Sequence, residues 1–165
     1  MPDSAPQTAS APFDRLATAV YAIAAASLIG LVLVQGWQVF ARYVLNDSPS
    51  WTEPVTLVLL TAAMSFGAAA GVHTDRHFAF TLLADAAPPK LRRGLFVFAR
   101  LAMAALGVVL AWWAAQLFLA GADVRAAGAP FPETLPYAMV AVGGGLIAVF
   151  AVARCFRPLP AREAH

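Results

Sequence analysis

The sequence predicts an all-α membrane protein built from four transmembrane helices. Hydrophobic residues make up 61% of the 165-residue chain and charged residues 12%, against about 45–50% and about 25% in soluble domains. The hydrophobic residues fall in four long blocks, and a helix that crosses a bilayer needs about 20 of them. Helices are expected because an open sheet edge would leave backbone polar groups unpaired in hydrocarbon.

The predicted spans cover residues 16–43, 54–72, 94–120 and 134–156. The first apolar run is longer than the core of a signal peptide, about 7–15 residues, so we expect an uncleaved first helix. Between the second and third spans, residues 78–86 predict a short amphipathic segment at the membrane interface. Two prolines, Pro88 and Pro89, follow that segment and end it.

The four spans form the predicted membrane domain, residues 13–157, which lies between two tails. Residues 1–12 are rich in Ala, Ser and Pro, a composition typical of disorder, and we expect a disordered cytoplasmic tail there. Residues 158–165 are expected to form a second cytoplasmic tail.

Three of the spans carry small residues at positions where helices can approach closely. They are Ala22, Ala26 and Gly30 in the first span, Ala63, Gly67 and Gly71 in the second, and Gly143, Gly144 and Gly145 in the fourth. Small residues at this spacing are typical of packing against a neighbouring helix or another subunit, rather than of a ligand site.

The distribution of Lys and Arg predicts the orientation in the membrane. Both terminal regions and the connection between the second and third spans carry most of these residues, whereas the other two connections carry one each, Arg42 and Arg125. Basic residues remain on the cytoplasmic side, so both termini should be cytoplasmic. Arg100 lies nearly two turns inside the third span, and we expect its side chain to snorkel back to the cytoplasmic face.

The chemistry-bearing residues argue against several classes of function. No span has an acidic residue near its centre, where an ion-coupled carrier is expected to place one. His73 and His77 are four residues apart but lack further ligands, and Cys155 is the single cysteine, so no metal or cofactor site is predicted. No catalytic motif is present, and the modest net charge of +2 implies no nucleic-acid partner.

The connection between the first two spans carries the most specific pattern. Arg42 and Glu53 flank it, so an ion pair across the hairpin is geometrically possible. Asn46 suits the turn, and Trp51 would anchor the second helix at the membrane interface. The pattern fits a stabilised helical hairpin or a docking surface for a partner on the non-cytoplasmic side, and the two are compatible.

These residues resemble the small membrane subunit of tripartite ATP-independent periplasmic (TRAP) transporters, the DctQ-like family. The resemblance covers about residues 16–156 and rests on Arg42-Tyr43, Asn46, Ser48, Trp51-Thr52-Glu53, Gly67, Ala69, His77, Pro88-Pro89, Leu91-Arg92-Arg93, Pro130 and Pro136-Tyr137. Pro54 and Thr81 stand where the family commonly has acidic residues.

The resemblance implies a scaffold subunit in the bacterial inner membrane that has no substrate site of its own. It would assemble, among membrane lipids, with a large permease subunit and a periplasmic solute-binding protein that together take up an organic acid with sodium. We predict subunit or partner contacts at Arg42, Asn46, Trp51, Glu53, Gly67 and Gly71. The alternatives are a self-sufficient homo-oligomeric carrier or channel, and a membrane enzyme or haem protein.

Overall fold

The computed structural model describes residues 11–74 and 88–155, which form four helices. These are α1, Ala11–Tyr43; α2, Thr52–Thr74; α3, Pro89–Ala120; and α4, Leu135–Cys155. Each contains a stretch long and apolar enough to cross a bilayer: Phe13–Tyr43, Thr52–Val72, Gly94–Ala120 and Leu135–Arg154. The predicted all-α fold with four spans is confirmed. The predicted interfacial segment, His77 and the C-terminal tail lie outside the described residues.

Three helices begin earlier than the sequence predicts, and one of them is α2, which starts at Thr52 instead of residue 54. The first starts at Ala11 instead of residue 16, and the third at Pro89 instead of residue 94. The prediction followed the apolar stretches, but helical hydrogen bonding continues into polar turns. Pro89 suits the first helical position, where its missing N–H is not needed, and Asp14 in the first turn of α1 complements the helix dipole.

The helices form one layer in the order α1, α2, α4, α3. In the described part of the chain, α2 packs on α1 and on α4, and α4 packs also on α3. The first and third helices therefore lie at opposite edges of the layer. This arrangement leaves α2 and α4 at the centre, each with a neighbour on both sides.

The first four buried side chains of α1 recur at alternating steps of three and four residues, and the last follows 14 residues later. They are Ala17, Val20, Ala24, Ser27 and Ala41. This spacing is that of helices packed nearly antiparallel with side chains interdigitating, as in coiled coils. By contrast Ala22 and Ala26 are exposed. Gly30, the third small residue singled out in the first span, is half-buried, and a Cβ on it would lie 3.4 Å from the side chain of Leu59 in α2. Only Gly30 of the three therefore faces a helix within the chain.

Glycines bring α3 and α4 into backbone contact. A Cβ placed on Gly107 would lie 2.7 Å from the carbonyl oxygen of Gly144, and one on Gly144 would lie 2.8 Å from the carbonyl oxygen of Gly107. Gly143, one residue earlier in α4, faces the other neighbour and would meet Ser65 of α2. The close packing predicted for the glycines of the fourth span is confirmed for Gly143 and Gly144, whereas a Cβ on Gly145 would meet no described atom within 4 Å.

Arg100 is buried, with 7% of its surface exposed. It lies four residues from each of two other buried residues of α3, Phe96 and Ala104. These positions share one helix face, so the side chain leaves α3 towards the bundle. This burial is in line with the tendency of charged residues in spans to face the bundle interior, and the expected snorkelling towards the cytoplasmic face stays a prediction.

Candidate functional site

Residues 44–51, here called the corner, reverse the chain between α1 and α2. The amide of Val44 donates to the carbonyl of Phe40 at 2.8 Å, and the amide of Asp47 donates to that of Ala41 at 3.1 Å, which closes the end of α1. Asn46 has a φ of 55°, a left-handed conformation that asparagine tolerates better than most residues. The left-handed backbone at this position therefore explains why asparagine suits the turn.

Thr52, which is not among the predicted site residues, fixes the far side of the corner. It is fully buried, at 0% exposure, and its hydroxyl donates a 2.8 Å hydrogen bond to the carbonyl of Pro49. A buried hydroxyl needs such a partner. Thr52 therefore ties the start of α2 to the corner.

Residues 121–134, here called the second loop, form a small hairpin between α3 and α4. The amide of Ala126 donates to the carbonyl of Phe131 at 3.0 Å, and the amide of Glu133 donates to that of Val124 at 2.9 Å. These bonds satisfy backbone groups that an irregular loop would leave to solvent. The second loop is thus a defined structure and not an open linker.

The corner and the second loop meet. Gly128 has a φ of 72°, and a Cβ on it would fall on the side chain of Ser50. No other residue type fits this position without strain, because the conformation is left-handed and the space is filled. The two connections therefore lie at the same end of the bundle, and together with the adjoining helix ends they form one surface. We call residues 42–53 and 121–134 the loop surface.

The ion pair between Arg42 and Glu53, which the sequence makes geometrically possible, is not formed in the described part of the chain. Both side chains are exposed, and the Arg42 guanidinium carbon lies 6.0 Å from the ring centroid of its neighbour Tyr43. Arg42 belongs to the last turn of α1 and Glu53 to the first turn of α2. Each charge already complements the dipole of its own helix, and an exposed ion pair would add only about 0–1 kcal/mol.

Aromatic side chains mark the same end of the molecule. Trp51 is 39% exposed and Tyr43 is 77% exposed, while the rings of Trp37 and Phe40 lie 5.9 Å apart. Exposed Trp and Tyr near helix ends are typical of the membrane interface. This placement is compatible with the anchoring role predicted for Trp51.

A groove of about 560 Å³ runs between α1 and α2. Its lining is uncharged and combines small residues of α2 with larger side chains from both helices. The small residues include Ala63, Gly67, Ala70 and Gly71, and the larger ones include Tyr21, Leu28 and Met64.

Gly67 and Gly71 differ from the glycines that pack within the chain. A Cβ on either would meet no described atom within 4 Å, whereas one on Gly107 or Gly144 would meet backbone at 2.7–2.8 Å. The structure also separates Gly67 from the corner, since Glu53 and Gly67 are about 20 Å apart at 1.5 Å per helical residue. The six predicted contact residues therefore belong to two surfaces, four to the loop surface and two to the groove.

A comparison with known protein families identifies the family of this chain. A family model described as "Tripartite ATP-independent periplasmic transporters, DctQ component" matches residues 31–161, which is most of the chain. The chain belongs to the DctQ family. It is a small membrane subunit of a TRAP transporter and a multi-pass protein of the inner membrane. No curated protein matches it.

The family match includes the whole loop surface and the α2 side of the groove, whereas it begins within α1. Within the described residues, no three His, Cys, Asp or Glu side chains gather as a metal site. The predicted histidine pair falls partly outside the described residues at His77, so the expectation for that pair stays a prediction.

Proposed function

We propose that this small subunit is the scaffold of a three-part transporter, working beside a large permease subunit and a periplasmic solute-binding protein. Membership of the DctQ family carries the proposal. Within the four described helices the carboxylates are Asp14 and Glu53, each in a first turn. Since ion coupling in a membrane commonly uses ionisable groups within the spans, we assign the sodium and organic-acid sites to the large subunit.

The loop surface faces the periplasm in this proposal. It carries four acidic residues and two basic ones, whereas the rest of the chain carries five acidic and nine basic residues. The rule that Lys and Arg remain on the cytoplasmic side then orients the bundle. A water-soluble binding protein would meet the loop surface, and the permease would meet the helices.

The groove is the proposed contact for a helix of the large subunit. Helices in lipid gain little from the hydrophobic effect and associate through close packing, for which glycine is the most favourable residue. Gly107, Gly143 and Gly144 are already in close contact within the chain, whereas a Cβ on Gly67, which lines the groove, would meet no described atom within 4 Å. The larger side chains around them, such as Met64, would flank an inserted helix.

The loop surface is the proposed contact for the binding protein. The contact between Ser50 and Gly128 joins its two halves, so a partner would meet one preformed surface. One half of this surface, residues 42–53, contains Arg42, Asn46, Trp51 and Glu53. Docking on a preformed surface avoids the entropic cost of ordering flexible loops.

Reconstitution in liposomes tests the central claim. The small subunit alone should give no uptake of any organic acid under a sodium gradient. The small and large subunits together with the binding protein should give uptake that collapses when any one component is left out. Flux through the small subunit alone would instead identify a self-sufficient carrier or channel and would refute the scaffold proposal.

A glycine series tests the groove. We expect Gly67→Leu to leave the lone subunit folded but to prevent co-purification with the large subunit. Gly145→Leu is the matched control, because Gly145 also borders open space but lies on α4, outside the groove. Loss of co-purification with Gly145→Leu and not with Gly67→Leu would move the contact to another face of the bundle.

Charge changes test the loop surface. Arg42→Ala and Glu53→Ala should leave co-purification with the large subunit intact and reduce uptake by weakening capture of the binding protein. Thr18→Ala, an exposed change on α1 beyond the loop surface, is the control. Wild-type uptake at low concentrations of binding protein in both charge variants would show that Arg42 and Glu53 do not take part in capturing the binding protein.

A further inference from the structure

We draw no further inference here: the strongest candidate, the groove between α1 and α2 bordered by Gly67 and Gly71, carries nothing beyond the contact already proposed, because nothing in the structure shows what covers it.

Discussion

Replacing Gly144 with alanine should weaken the bundle, whereas the same change at the next residue should not. Gly144 faces α3, and a Cβ there would lie 2.8 Å from both the amide nitrogen of Ala111 and the carbonyl oxygen of Gly107. Gly145 belongs to the same helix, and a Cβ there meets no described atom within 4 Å. The pair therefore isolates the close contact from every other effect of the substitution.

The magnitude follows from what must move. Carbon needs about 3.5 Å to a neighbouring heavy atom, and the obstructing atoms at Gly144 are backbone, so α3 and α4 must separate by several tenths of an ångström. Overpacking of this kind costs about 1–3 kcal/mol. Alanine also favours a helix over glycine by about 1 kcal/mol, but that gain is common to both variants. Gly144→Ala should therefore be less stable than Gly145→Ala by about 1–3 kcal/mol.

The assay is reversible unfolding of the purified subunit in mixed micelles, followed by far-ultraviolet circular dichroism as the denaturing detergent is increased. The result is the difference in unfolding free energy between the two variants, because micelle composition and helix propensity affect both variants alike. Equal unfolding free energies, or a more stable Gly144→Ala, would mean that the backbones of α3 and α4 are not in contact and would refute the close packing of these two helices.

Three further predictions concern the connections. Thr52→Val should cost about 1 kcal/mol of unfolding free energy, as expected for a lost hydrogen bond, while Thr52→Ser keeps the hydroxyl and should cost less. Gly128→Ala should cost at least about 1–2 kcal/mol for its left-handed backbone, measured in the same assay; no loss would remove the contact with Ser50. With Cys155 replaced by serine, Ser48→Cys should react with a membrane-impermeant maleimide in spheroplasts with intact inner membranes, and the native Cys155 should not. The reverse labelling pattern would invert the proposed orientation.

The four spans could be predicted from the sequence because length and apolarity alone define them. The packing faces could not. α1 is apolar in nearly every direction, so its sequence shows no stripe that separates a buried from an exposed side. Ala22 and Ala26 looked like a packing face, yet the buried positions are Ala17, Val20 and Ala24. Only the position of α2 decides which of the two sets of positions is buried.

The candidate site, like the fold, could be predicted from the sequence only in part. Asn46 could be assigned to a turn because asparagine tolerates the left-handed backbone found there. Nothing in the sequence indicated the contact between Ser50 and Gly128. These residues are far apart in the chain and become neighbours only through the order of the helices. The possible ion pair of Arg42 with Glu53 does not form for a related reason: proximity along the hairpin does not determine where two long, exposed side chains point.

The glycines link the fold to the proposed assembly. In water a helix face without a partner would be revealed by its apolar surface, but in a bilayer lipid covers such a face at no cost, so apolarity says nothing about partners. Space beside a glycine is more informative, because close approach is what drives association there. Gly107, Gly143 and Gly144 have that approach satisfied within the chain, whereas Gly67 lines the groove and a Cβ on it would meet no described atom within 4 Å. A subunit whose family acts within a larger complex should therefore lose its own stability from substitutions at the three packed glycines and lose assembly from a substitution at Gly67.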